Sequence, residues 1–160
     1  MTFDLAMVAA LPMLGACLWD VRYRLIPDWA CAGVALVGGA AALAAGTLAP
    51  TLLAGGLALA AGALAARAGA WGWGDAKLLP AAALVAGLPG LLPLLLGTAV
   101  AGGLMATALL LVRGPVLTGR LVLPSGAPRW LRAEQTRLRR APTLPYALAI
   151  AAGLTFAWLA

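Results

Sequence analysis

Histidine is absent from this chain of 160 residues, cysteine occurs twice, and charge is scarce, with 11 Lys or Arg against five Asp or Glu. Without His, the His-ligated zinc and haem centres and the Ser-His and Cys-His hydrolases lose a required part. Cys17 and Cys31 stand singly and read as small apolar packing residues rather than as a disulfide or ligand pair. A soluble domain devotes roughly a quarter of its residues to charge. A chain that is 64% hydrophobic and 10% charged cannot coat a water-facing surface. It reads as an all-α polytopic integral membrane protein. One span takes about 20 apolar residues, which leaves room for about five or six helices and no extramembrane domain. The net charge of +6 then speaks of topology and lipid contact, not of nucleic acid.

The basic residues fall in three places: Arg22 and Arg24; Arg67 and Lys77; and a run from Arg113 to Arg140. Apolar runs cover residues 3–19, 30–48, 51–66, 78–88, 91–112 and 144–160. Charged loops alternate with uncharged turns, the latter at 46–50 and at Leu88-Pro89-Gly90. Six helices of alternating direction put every basic residue on one side. The positive-inside bias makes that side the cytoplasm, with both termini extracytoplasmic. The fourth run is short, so it either begins inside the preceding loop or is partly re-entrant. Leu14-Gly15-Ala16-Cys17 has the look of a lipoprotein cleavage box, but no Lys or Arg precedes Arg22. That charge order belongs to a retained first helix. Small residues such as Gly55, Gly56, Gly62, Gly97, Gly102 and Gly103 suit a closely packed bundle, although a GC-rich coding bias would also enrich them.

Acids near a bilayer are costly, so each needs an account. Asp4 suits the N-terminal dipole of the first helix. Glu134 lies among arginines, where a surface ion pair is the default. Asp28, after Ile26-Pro27 and before an apolar run, reads first as an N-cap. Asp20 and Asp75 remain. The topology puts both on one face at similar depth, in Asp20-Val21-Arg22-Tyr23-Arg24 and Gly72-Trp73-Gly74-Asp75-Ala76-Lys77. Converging carboxyls share a proton, because like charges a few ångströms apart cannot both ionise cheaply. Such a pair suits an aspartic protease, in which the ionised acid activates water and the protonated one polarises the scissile carbonyl. Gly72 and Gly74 would let a substrate strand come near. Lys77 and Arg22 could orient the acids, hold substrate carbonyls, or simply mark the cytoplasmic side. Taken alone, Asp75 could equally be a helix N-cap.

The stretch Asp-x-Arg-x-x-x-Ile-Pro-Asp at 20–28 and Gly-x-Gly-Asp-x-Lys-Leu-Leu at 72–79 resemble the two signature segments of the type IV prepilin peptidases. These are membrane aspartic proteases of the Gly-x-Gly-Asp class. A third stretch, Pro145-Tyr146-Ala147-Leu148-Ala149-Ile150, is similar to the segment opening the family's last helix. The resemblance implies that Asp20 and Asp75 are the catalytic pair, with Gly72, Gly74, Lys77, Arg22 and Asp28 shaping the site and no metal or organic cofactor. Ala147 replaces the family's usual Gly, a change expected to stiffen that helix and touch neither acid. No Cys-x-x-Cys pair is present and the first apolar run opens at residue 3. The methyltransferase activity and zinc site of larger members are therefore not expected. The short form looks like the peptidases of Flp, or tight-adherence, pili. Its substrates would be Flp-type prepilins and pilin-like proteins, cut at the cytoplasmic face after the Gly preceding their apolar helix, with pilus or secretion machinery as a further partner.

The main rival is a non-catalytic membrane subunit or a small ion- or proton-coupled transporter, with Asp20 and Asp75 as polar sites. Such proteins place their acids near the midplane, between related halves, whereas these acids lie at one edge and no internal repeat is visible. A second rival is a degenerate homologue that only scaffolds pilus assembly.

Residues 113–143 form the one sizeable loop. Its stretch 128–140 could lie as a short helix on the membrane, with Trp130, Leu131 and Leu138 towards lipid and the arginines on anionic headgroups. Contact with an acidic substrate or a secretion partner is the alternative. On the lipid reading, Arg→Gln changes at 129, 132, 137, 139 and 140 spare cleavage, since the spans alone hold the protein in the bilayer. Intact association with cleavage abolished, measured by fractionation and a processing gel, favours the partner.

Overall fold

A computed structural model describes residues 3–117, 126, 128, 136 and 144–160, with side chains from residue 8 to 113 and at the later positions. The side chains of Asp4 and Glu134 and nearly all of the basic stretch 129–140 lie outside the described residues. Two compact units are present, residues 1–102 with 145–160 and residues 103–144. Both aspartates belong to the first.

Every regular element among the described residues is helical: α1 (Phe3–Tyr23), α2 (Asp28–Ala44), α3 (Leu48–Arg67), α4 (Trp73–Leu117) and α5 (Tyr146–Leu159). Leu48–Arg67 and Trp73–Arg113 are long and apolar enough to cross a membrane, and α2 and α5 are shorter apolar helices. The turn expected at 46–50 is confined to 45–47, with Gly46 at φ 69°. Pro50 lies in the first turn of α3, where its missing N–H has no intrahelical partner to lose. The fourth apolar run does begin inside the preceding loop, since α4 opens at Trp73.

The turn expected at Leu88-Pro89-Gly90 falls one residue earlier. Gly87 takes φ 69° and ψ 178° inside α4, a conformation open to glycine and costly with a Cβ. Pro89 and Gly90 already open the next helical arm. The chain reverses here. A Cβ on Gly90 would meet Ala157, one on Gly97 the Cα of Gly153, and one on Gly102 the Tyr146 phenol. The second arm therefore runs antiparallel to α5 and returns to the end where α4 began, which Trp71 marks with its ring 5.4 Å from that of Tyr146.

Packing inverts the usual soluble pattern. The core is built from small residues, among them Ala9, Ala16, Ala30, Ala58, Ala82 and Ala83, around Leu78, Leu79, Leu94 and Ile150. Large aliphatics face outward, with Leu11 and Leu18 each 71% exposed and Leu36 73%. In water such a surface would aggregate; in lipid it is the solvated face, while small residues bring the backbones together. Gly38 makes the point locally. A Cβ there would stand 2.7 Å from the backbone of Leu84 and Val85, whereas its neighbour Gly39 has nothing within 4 Å. Gly38→Ala is expected to cost about 1–3 kcal/mol by overpacking. Gly39→Ala should be neutral or gain up to about 1 kcal/mol of helix propensity. Thermal unfolding of the two variants in detergent checks this, and equal midpoints would refute the packing.

Candidate active site

Asp20 lies in the last turn of α1, where the helical register turns it inward beside Cys17. It is 5% exposed. A buried carboxylate needs donors, and α5 supplies one: the Ala147 N–H donates to Asp20 Oδ2 at 3.0 Å. The local reason is Pro145. It forms the N-cap of α5 with no side-chain cap bond, which leaves the first amides of that helix open, and helix N-termini favour anions. Cys17 Sγ donates to the Ala147 carbonyl at 3.5 Å, so α1 grips this residue on both sides. The expectation that position 147 touches neither acid is thereby corrected. The contact runs through the backbone, which a comparison of side chains overlooks.

Arg24 closes α1. Its N–H donates to the Asp20 carbonyl at 2.8 Å and its φ is 56°, a left-handed conformation that costs a non-glycine residue about 1–2 kcal/mol. The turn holds the half-buried guanidinium where its charge bears on the Asp20 carboxylate. Sequence reasoning had singled out Arg22 instead. Arg22 is exposed, its Nε donating to Tyr23 Oη at 3.1 Å with the guanidinium 5.5 Å from that ring.

Asp75 is the third residue of α4, not its N-cap. Its carboxylate reaches back to accept the Gly72 N–H, the acidic half of a capping box. This local role does not exhaust it. The carboxyl is half-buried, close enough to Asp20 for the two charges to interact, and likewise close to the Tyr146 phenol. Asp20 thus bonds Ala147 while Asp75 lies within electrostatic range of its neighbour Tyr146, so the start of α5 is near both acids. Tyr146 was no more than a motif letter in the sequence; its place after an uncapped Pro145 was the available signal.

The remaining candidates sit beside the pair. Asp28 is the first residue of α2, whose N-cap is Pro27, so the expected cap role falls away. Its Oδ1 pairs instead with Lys77 Nζ at 2.9 Å. Ile26 occupies the space a Gly74 side chain would need, 3.1 Å from the ideal Cβ. The openness of Gly74 is therefore taken up by packing, whereas Gly72 is exposed and, among the described residues, has only the Asp75 carboxylate near its Cβ position. Among the described residues no three of His, Cys, Asp and Glu gather as metal ligands would. Two carboxyls, one helix N-terminus and an open glycine can bind a water, share a proton and accept an extended chain.

Residues 7–107 match the model of the type IV leader peptidase family. The chain belongs to the type IV leader peptidase family. Membership carries aspartic peptidase activity and membrane association at the level of the family. The matched segment includes Asp20, Asp75 and every residue of the Asp28–Lys77 contact; the Tyr146–Ala147 platform lies beyond it. Comparison with curated proteins and with solved structures finds no match.

If the Ala147 N–H is what satisfies Asp20, then Ala147→Pro, which deletes that donor in a helical first turn that tolerates proline, costs about 1.5–3 kcal/mol. Ala147→Gly keeps the donor and costs about 1 kcal/mol of helix propensity. Thermal unfolding in detergent separates them, and equal losses would remove the hydrogen bond from the account.

Proposed function

We propose that this protein is a membrane aspartic endopeptidase that removes the leader peptide of Flp-type type IV prepilins and pilin-like proteins at the cytoplasmic face of a bacterial inner membrane. Asp20 and Asp75 are its catalytic pair. What supports the reading is that Asp20 is bonded to the first turn of α5 while Asp75 lies within electrostatic range of both Asp20 and Tyr146, at one end of a helix bundle. In the chemistry, the ionised carboxylate takes a proton from water as the oxygen attacks the scissile carbonyl carbon. The protonated carboxyl donates to the carbonyl oxygen. Collapse of the tetrahedral intermediate breaks the C–N bond as the leaving amine is protonated. The proton belongs to the pair, so neither acid owns a pKa.

The surroundings of the pair support a place at the membrane surface. Trp19, Tyr23 and Trp29 form one aromatic cluster with centroids 5.1 and 6.3 Å apart, and Trp71 joins Tyr146. Trp and Tyr gather at membrane–water interfaces, and Arg22, Arg24, Arg67 and Lys77 belong to the same end of the chain's zigzag. On this reading the reversal at Gly87 divides α4 into two passes. With six passes the termini are extracytoplasmic, and this end faces the cytoplasm by its positive charge. A prepilin crossing alongside would bring a basic leader and its scissile Gly to the level of the carboxyls, with Gly72 leaving space for the extended chain.

Co-expression with a Flp-type prepilin is expected to give a processed band for wild type. Asp20→Asn and Asp75→Asn should each lower the rate by about 10²–10⁴. The wild-type rate is expected to be bell-shaped in pH, falling when the pair loses its last proton and again when it gains its second. Processing at the normal rate by either Asn variant would dismiss the pair. Proton or cation flux lost in the variants, with no prepilin cleaved by wild type, would favour the transporter.

A further inference from the structure

The two signature segments do more than carry one acid each: they dock on one another. The Asp20 segment continues through Ile26-Pro27-Asp28, and the Asp75 segment through Ala76-Lys77. Ile26 fills the space over Gly74, 3.1 Å from where its Cβ would stand, and Asp28 Oδ1 meets Lys77 Nζ at 2.9 Å across a separation of 49 residues. On its far side the same turn of α4 is pinned, since a Cβ on Gly62 of α3 would stand 3.1 Å from Ala76 Cα. Asp28 is not the cap of α2, because Pro27 is the N-cap and no side-chain cap bond forms; its charge sits in the first turn, leaving the carboxylate oxygens open to Lys77.

We propose that Asp28 and Lys77 are positioning residues whose ion pair sets the register of the Asp75 turn against the Asp20 segment. The proposal rests on the peptidase reading and specifies how that site is assembled. Both side chains are exposed, at 79% and 54%, so the pair adds little to global stability. Its effect is local. Ile26 against an absent side chain and Gly62 against Ala76 hold the turn by shape, and the ion pair adds a charged contact between the two segments. Lys77 is two residues beyond Asp75 in the same first turns of α4, so a shift of one is a shift of the other. Misplacement by about 1 Å can cost a reaction about 100-fold.

The test uses the full-length protein in detergent and a Flp-type prepilin that the wild type processes; a wild type that does not process it overturns the peptidase reading itself. Given processing, Asp28→Asn and Lys77→Met are each expected to lower kcat about tenfold with KM within about twofold. The double variant should be no worse than either single one, the mark of two residues acting as a unit. Asp28→Glu and Lys77→Arg, which keep the charges, should retain most of kcat, and thermal midpoints should be unchanged. Losses that multiply in the double variant, or no loss at all, overturn the latch. A raised KM in Lys77→Met alone reassigns Lys77 to substrate contact. Failure of either single variant to accumulate assigns the pair to folding, which also overturns the proposal.

Discussion

The hydrogen bond from the Ala147 amide to Asp20 is the contact on which the rest of this end of the bundle depends. A carboxylate that is 5% exposed must find donors within the protein, and here the donor lies 127 residues away in sequence. Forming it requires the start of α5 to reach the end of α1. In this structure α4 doubles back at Gly87 and its second arm lies against α5. The close approaches of Gly97 to Gly153 and of Gly102 to Tyr146 make this return possible without gaps.

On the peptidase reading the same closure sets the chemistry. Asp75 reaches its place through the first turn of α4, where it accepts the Gly72 amide within electrostatic range of Asp20 and Tyr146. One carboxylate is anchored from α5 and the other from its own helix start, so the pair meets across an interface of segments and not along one. Such a site can be assembled or loosened by small movements of a helix end. The Asp28–Lys77 pair and the Ile26–Gly74 contact lie where those movements would be controlled.

Much of this was legible from residue types. Scarcity of charge marked the membrane class, the alternation of charged loops and bare turns marked the helices, and elimination of three acids left Asp20 and Asp75. The break within α4 was legible as a Gly-Leu-Pro-Gly cluster but misplaced by one residue, because proline draws attention while the left-handed conformation belongs to Gly87. Asp28 was misread as a cap because its position before an apolar run has that local pattern, whereas a partner 49 residues distant has no local signature. Ala147 was misread for a related reason: its contribution is an N–H, which every residue but proline owns. Arg24 was passed over for Arg22 because only the positive φ at the helix end decides which guanidinium turns back.

The central claim, that Asp20 and Asp75 form one electrostatic unit at the start of α5, is tested most directly by infrared titration of the protein in lipid vesicles. The carboxyl stretch of Asp20 is assigned by its loss in Asp20→Asn, then followed against pH in wild type and in Asp75→Asn. Coupled carboxyls require the Asp20 midpoint to move when Asp75 loses its charge. An Asp20 titration that is identical in the two proteins would contradict the account.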